Sequence, residues 1–222
     1  IILGKQNYHG ERLRLLHQRI MEQRFLIDDS GRARVVEYPE EQVINKYIRM
    51  VKASLRAIKP SRVVIGGGNG VACRLAPQLL TALGCEVIPH NTEEQSAASA
   101  EENLSGLRRA VQTQQANLGL AFDGDGDRVA IIDDQGVVLT AEEATWLLLQ
   151  SFGAELSGER IVCDVKFSDR IAEAARELGA EALVERSGHA FIRACMLQSR
   201  ALFGAEVSGH YFYRELDAAD DG

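Results

Sequence analysis

The segment Asp123-Gly124-Asp125-Gly126-Asp127-Arg128 sets three carboxylates at alternate positions directly after the apolar run Leu118–Phe122. Three such side chains can hold a divalent cation if the chain curls. In an extended strand the first and third would stand roughly 13 Å apart at about 3.3 Å per residue. Oxygens bound to one magnesium ion lie only about 2.1 Å from it. Gly124 and Gly126 are expected to permit the curl, since glycine accepts backbone angles closed to other residues. Without a cation the crowded carboxylates repel, and at least one tends to keep its proton. A solvated acidic turn is the alternative, but the position at the end of a buried strand, where α/β sheets gather ligands, favours metal binding. A calcium EF-hand fits poorly: it wants glycine where Arg128 stands and glutamate at the twelfth position, here Asp134.

A second group lies near the C-terminus. Gly204-Ala205-Glu206-Val207-Ser208-Gly209-His210 places a carboxylate, a hydroxyl and an imidazole on one short turn. Glu206 and Ser208 together suit the adjacent donor–acceptor hydroxyls of a sugar, although a lone Glu-x-Ser turn is more often structural. Ser187-Gly188-His189 precedes an expected helix start, where free N–H groups can receive an anion; the plainer alternative makes Ser187 a helix cap and His189 a surface residue. Lys166 follows a strand and reads by itself as a solvated lysine. The run Gly66-Gly67-Gly68-Asn69-Gly70 lacks the P-loop lysine and the dinucleotide spacing, so a tight strand-to-helix turn is expected there.

The elements that must position these residues alternate. A charged helix spans 13–21, and a turn follows at 28–31. Pro39 opens a helix whose apolar positions Ile44, Ile48, Val51, Leu55 and Ile58 recur at steps of three and four. Strands at 62–65, 85–89 and Leu118–Phe122 alternate with helices at 71–83 and 104–115. Hairpin chemistry at Asp133-Asp134-Gln135-Gly136 joins strands at 129–132 and 137–139. Beyond Thr140, a candidate N-cap, come a helix to Phe152, a loose stretch at 153–158, a strand at 161–165 and a helix capped by Ser168. A strand at 182–184, a helix at 191–198 and a strand at 201–203 complete the series. This order predicts an α/β chain: two similar three-layer α/β/α units with mostly parallel sheets. The boundaries expected are 1–38 for the tail of a preceding domain and linker, 39–140 for a metal-binding domain and 141–222 for a sugar-binding domain.

The 222 residues carry a formal charge of -7, with basic residues scattered, which excludes the basic stripe of a nucleic-acid binder. The hydrophobic share of 45% supports a folded core. The four cysteines form no CxxC pair, so reduced thiols in a cytoplasmic protein are expected. No apolar run reaches the roughly 20 residues of a membrane span. The chain opens without methionine and stops at Asp220-Asp221-Gly222, and a piece of a longer protein is expected.

Together these residues resemble the α-D-phosphohexomutase family. The acidic loop, Gly188-His189 leading into Phe191-Ile192, and Glu206-Val207-Ser208-Gly209-His210 carry the likeness, with weaker support from Asn69-Gly70 and Glu102-Asn103-Leu104. The resemblance implies a four-domain enzyme of which this chain carries the second and third. It implies one Mg²⁺ held by Asp123, Asp125 and Asp127 together with a phosphoserine oxygen, and Arg128 beside that phosphate. It implies sugar hydroxyls on Glu206 and Ser208, a cleft lined by Lys166, Gly188, His189 and His210, and proton transfer assisted by Lys166 and His210. The implied reaction interconverts hexose 1-phosphate and hexose 6-phosphate through a hexose 1,6-bisphosphate.

The sequence departs from the family pattern in three ways. Alanine stands at 205 where the sugar motif has glycine. The segment 89–99 is short and poor in proline. No Thr-Ala-Ser-His-Asn-Pro type serine loop and no arginine/serine-rich phosphate loop of a fourth domain occur, so the 222 residues alone are expected to be inactive. The resemblance implies glucose or mannose substrates rather than glucosamine, because glucosamine-specific relatives tend to carry a polar residue where Val207 stands. The alternatives are phosphoglucosamine mutase, a non-catalytic homologue that binds metal and sugar phosphate, and a phosphatase with an aspartate nucleophile.

Overall fold

In the computed structural model of the chain, which describes residues 2–3, 6–25, 36–55, 59–68, 70–90 and 100–222, strands β1 (Ile2–Leu3) and β2 (Gln6–Asn7) pair antiparallel. Helix α1 (Glu11–Met21) follows, then α2 (Glu40–Ser54). Pro39 stands just before α2, at its N-cap position rather than in its first turn, and its carbonyl accepts the Gln42 and Val43 N–H groups. The helix stops at Ser54, short of the expected Ile58. The turn at 28–31, Ile58, Asn69 and residues 91–99 lie outside the described residues. The chain divides into two units, Ile1–Ala53 and Ser54–Gly222, and the motif residues all belong to the second.

In that second unit β3 (Arg62–Gly66), α3 (Val71–Ala82), β4 (Glu86–Pro89), α4 (Ala100–Thr113), β5 (Leu118–Phe122) and β6 (Val129–Asp133) build one sheet in the order β4-β3-β5-β6. β3 runs parallel to β4 and β5, and β6 returns antiparallel to β5. Alternation along β3 explains the layering. Val63 and Ile65 pack with Cys73 and Ala76 of α3, whereas Val64 faces Leu107 and Val111 of α4. Side chains one residue apart point to opposite faces, so both faces need a helix.

Thr140 opens the second half with a reciprocal capping box: its hydroxyl accepts the Glu143 N–H at 3.1 Å, and its own N–H donates to the Glu143 carboxylate at 2.8 Å. Helix α5 (Ala141–Phe152), β7 (Arg160–Asp164), α6 (Asp169–Glu177), β8 (Glu181–Glu185), α7 (His189–Ser199), β9 (Phe203–Ala205), β10 (Tyr211–Tyr213) and β11 (Ala219–Asp220) follow. The sheet order is β11-β10-β9-β7-β8, with β7, β8 and β9 parallel and the last two strands antiparallel. Leu149 of α5 and Ile171 and Ala175 of α6 cover one face, and Ile192 and Met196 of α7 the other. Each large apolar side chain so buried contributes about 1.5–3 kcal/mol.

The α/β architecture with mostly parallel strands and helices on both sheet faces is as expected. Several local expectations are corrected. The strand expected at 137–139 shrinks to a bridge between Ile132 and Val138. The last parallel strand lies at Phe203–Ala205 rather than 201–203. Residues Gly153–Leu156 form a 3-10 turn. Ser168 stands at the N-cap of α6 but its hydroxyl donates to Glu142, so it does not cap. Among the described residues no helix is long and apolar enough to cross a membrane. All four cysteines are free thiols.

Candidate functional site

The acidic loop leaves the C-terminal end of β5 and doubles back into β6. Asp123, Asp125 and Asp127 bring ligand oxygens within 4.8 Å of one another. Two oxygens on one magnesium stand at most about 4.2 Å apart, so a cation needs only a small inward movement. Gly126 provides the turn, at φ +79°. Gly124 has no left-handed backbone, and a Cβ there would meet open space. The expectation that both glycines permit the curl therefore holds for Gly126 alone.

Arg128 folds back on the loop, with Nε 2.5 Å from Asp123 Oδ2 and 3.5 Å from Asp127 Oδ1. Asp123 Oδ1 also accepts the Gly126 N–H at 3.0 Å. Burial pushes the Asp123 carboxyl up, but Arg128 and the Gly126 N–H outweigh it and hold the group below its ordinary value. Asp127 is pushed up, by burial first and then by Asp123, Asp125 and Asp220, with His210 opposing. Its Oδ1 is buried without a hydrogen-bond partner. A set of hard carboxylate oxygens, one of them buried without a hydrogen bond, fits Mg²⁺ or Ca²⁺ better than a soft metal.

The glycine run explains how the loop is seated. Gly67 and Gly68 are left-handed, and a Cβ on Gly67 would fall 2.1 Å from the Phe122 carbonyl oxygen. A Cβ on Gly70 would fall 2.7 Å from the Gly124 oxygen. The Val71 N–H donates to that same oxygen at 3.3 Å. The N-terminus of α3 thus abuts the acidic loop, and its partial positive charge favours carboxylates there.

The second motif meets the first directly. Gly209 N–H donates to Glu206 O and Glu206 N–H to His210 O, closing a tight turn between β9 and β10. His210 then pairs with Arg128 across an antiparallel bridge, and the Val129 N–H donates to Gly209 O at 3.3 Å. His210 Nε2 lies 3.4 Å from Asp127 Oδ2, and Nδ1 lies 2.7 Å from Ser208 Oγ and 3.5 Å from Glu206 Oε2. Glu206 is only 8% exposed, and Oε2 has no hydrogen-bond partner. A cavity of about 370 Å³ is lined by Asp123, Arg128, Asn103, Phe122 and Ser208. A larger hollow of about 700 Å³ between α5 and α6 holds Glu142, Glu143 and Trp146 but none of the motif residues.

Gly188 is the N-cap of α7, at φ 126°, and His189 is its first residue. His189 Nε2 lies 3.3 Å from Asp220 Oδ1, and its ring centroid is 6.3 Å from that of His210. The hydrogen bond to Asp220 raises the imidazole pKa, and His189 in turn lowers Asp220 against the effect of burial. Asp220 Oδ2 is buried without a partner, 3.9 Å from His210 Nε2. Lys166 is exposed on the turn after β7 and its side chain forms no ion pair among the described residues; its backbone N–H, donated to Asp164 at 3.0 Å, is what ties it to the group.

Two residues escaped the sequence reading. Asp220 is an aspartate in a two-residue strand, and nothing in its spacing pointed to two histidines. Asp164, the last residue of β7, is 1% exposed; a carboxylate ending an apolar strand is the signal that marks it.

The phosphoglucomutase/phosphomannomutase domain II model, an alpha/beta/alpha domain, matches residues 45–136, and the domain III model matches 138–222. The phosphomannomutase/phosphoglucomutase of Pseudomonas aeruginosa is 32% identical over 97% of this chain and 47% of its own length. A Burkholderia thailandensis phosphoglucomutase/phosphomannomutase family crystal structure superposes with a TM-score of 0.87 at 29% identity, covering 96% of this chain and 47% of that one. The Aspergillus fumigatus N-acetylphosphoglucosamine mutase, solved with GlcNAc-6P and magnesium, shares the fold at a TM-score of 0.52 and 16% identity, over 79% of this chain and 41% of its own. The chain spans about half the length of the curated relatives it matches. With both domain models aligned in sequence order over the two sheets that carry the acidic loop and the Glu206 turn, the chain belongs to the phosphoglucomutase/phosphomannomutase family.

Proposed function

We propose that the protein containing this chain is a Mg²⁺-dependent phosphohexomutase, an isomerase that interconverts hexose 1-phosphate and hexose 6-phosphate through a hexose 1,6-bisphosphate. Family membership supports the reaction class. The observation that carries the residue assignment is the antiparallel bridge between Arg128 and His210, which seats the acidic loop against the Glu206 turn. We place the metal-carrying domain before Thr140 and the sugar-carrying domain after it.

Asp123, Asp125 and Asp127 would hold the ion, which when bound supplies Lewis-acid polarisation and charge neutralisation at the transferring phosphate. The chain's own residues do the rest. Arg128 turns from Asp123 towards phosphoryl oxygens, where a guanidinium neutralises developing charge. Glu206 Oε2, a buried acceptor without a hydrogen-bond partner, takes a sugar hydroxyl, and Ser208 takes its neighbour. Such a pair suits a substrate that must bind in two orientations, because either edge of the ring offers vicinal hydroxyls. His210 sits between Asp127 and Ser208 and holds or moves a proton at the attacked hydroxyl, with Lys166 as the second candidate. His189 and the α7 N-terminus at Gly188 line the same side.

The test is interconversion of glucose 1-phosphate or mannose 1-phosphate with the 6-phosphate by the full-length protein with Mg²⁺. Turnover that disappears with EDTA and returns with Mg²⁺ supports the reading. A full-length protein that binds hexose phosphate without turnover would overturn it in favour of a non-catalytic homologue. The isolated 222 residues, which contain no serine loop, are proposed to show none.

A further inference from the structure

One buried carboxylate ties together the three turns that present the sugar-side residues. Asp164 ends β7 and is 1% exposed. Its Oδ1 accepts the Lys166 N–H at 3.0 Å and the Ser187 hydroxyl at 2.5 Å. Its Oδ2 accepts the Val207 N–H at 3.1 Å. The three donors stand on three different turns: after β7, between β8 and α7, and between β9 and β10. β7, β8 and β9 are parallel neighbours, so all three turns emerge at one edge of the sheet, with Asp164 on the central strand.

A carboxylate is suited to this place. It offers acceptor sites only, and here every neighbour within bonding distance is a donor. Charge-assisted bonds of this kind are about twice as strong as neutral ones. Removing such a group from water is tolerated when hydrogen bonds replace hydration, and Asp164 makes no ion pair among the described residues. The bonds also exclude the plainer alternative for this turn: Ser187 does not cap α7, because its hydroxyl is committed to Asp164 and Gly188 takes the cap position.

We propose that Asp164 is a positioning residue that sets the three sugar-side turns as one unit, fixing Lys166, Gly188-His189 and Glu206-Val207-Ser208 relative to each other. Its effect on substrate rests on the phosphohexomutase reading; its effect on the turns does not. Asp164→Asn keeps the volume but must point an NH₂ group at one of the donors, so at least one turn is released.

Two measurements on the full-length protein separate the possibilities. Amide hydrogen exchange at Lys166, at Val207 or at both should quicken by about tenfold or more in Asp164→Asn, while amides in the middle of β7 and in the 123–128 loop keep their wild-type rates. In steady-state assays KM for hexose phosphate should rise at least about tenfold, with Mg²⁺ affinity within twofold of wild type. Unchanged exchange at both amides, or a uniform rise across the whole protein, overturns the proposal, as does unchanged KM in an active enzyme. If the wild type shows no mutase turnover, the functional reading fails and exchange alone decides the role of Asp164. Should Asp164→Asn not fold, Ser187→Ala removes a single arm: faster exchange confined to the Ser187–His189 turn with a smaller KM rise supports the proposal, and no change there overturns it.

Discussion

Arg128 and His210 face each other as partners in an antiparallel bridge, although they stand 82 positions apart in the chain. Arg128 ends the acidic loop and His210 ends the Glu206 turn, so this pairing brings two motifs from two different sheets into contact. The side chains follow: His210 Nε2 reaches Asp127 at 3.4 Å, while Nδ1 meets Ser208 at 2.7 Å. Any disturbance of one loop is therefore felt at the other through His210.

Glu206→Gln should separate sugar binding from metal binding. The buried Oε2, which no hydrogen bond occupies, is the acceptor assigned to a sugar hydroxyl, and an amide keeps the shape but loses the charge. A hydrogen bond to a charged group is worth about 1.5–3 kcal/mol, and the amide retains part of it. KM for hexose phosphate should rise about tenfold, read by steady-state kinetics, with Mg²⁺ affinity unchanged by calorimetry. An unchanged KM would remove Glu206 from the sugar site.

Gly126→Ala and Gly124→Ala should behave differently although the sequence makes them look equivalent. At Gly126 a Cβ meets Ala72 Cβ at 2.7 Å on a backbone at φ +79°, whereas Gly124 has room and ordinary angles. Gly126→Ala should cost about 1–3 kcal/mol in urea unfolding and weaken Mg²⁺ binding. Gly124→Ala should change stability by less than about 0.5 kcal/mol. Equal effects would contradict the geometry of the loop.

The His189–Asp220 pair gives a pH dependence with a definite sign. The His189 pKa is raised from 6.5, first by its hydrogen bond to Asp220 and against burial and Arg193. Its contribution to stability is complete below that ordinary value and is lost as pH rises through the raised one. Asp220 is lowered from 3.8 by His189 against burial, so its contribution is present above that value and is lost as pH falls through the lowered one. The pair is fully ionised between, roughly from pH 4 to 6.5. His189 is more than a third exposed at its side chain, and solvent weakens the coupling accordingly. An NMR titration should give His189 a midpoint above that of free histidine, and Asp220→Asn should lower it. No change on substitution would break the assignment.

Much of this was legible in the sequence because it is local. The alternation of Val63, Val64 and Ile65 with helical patterns dictates a parallel sheet covered on two faces, and Asp123 to Asp127 carries its own spacing. Thr140 and Glu143 announce a capping box three residues apart. The strands β10 and β11 leave no mark in the sequence, since Tyr211-Phe212-Tyr213 lacks alternation and Ala219-Asp220 is too short to show a pattern. The roles of Asp220 and Asp164 leave no local signal for a related reason: Asp220 acts on His210 and His189, 10 and 31 positions away, and Asp164 on Ser187 and Val207, 23 and 43 positions away, and these partners become neighbours only when the sheet forms. Ser168 and Ser187 looked like caps because serine before an apolar run usually is one, but acidic neighbours from other elements, Glu142 and Asp164, claimed both hydroxyls.

Titration of Mg²⁺ into the full-length protein and into its Asp125→Asn variant, by calorimetry at neutral pH, is the most direct check on the acidic loop. Asp125 is exposed, so the substitution spares the core and reports on the ligand set alone. The account predicts that the wild type binds one ion and that the variant binds it at least about tenfold more weakly, a loss of about 1.4 kcal/mol. Equal affinity in the two proteins, or no Mg²⁺ binding by the wild type, would contradict it.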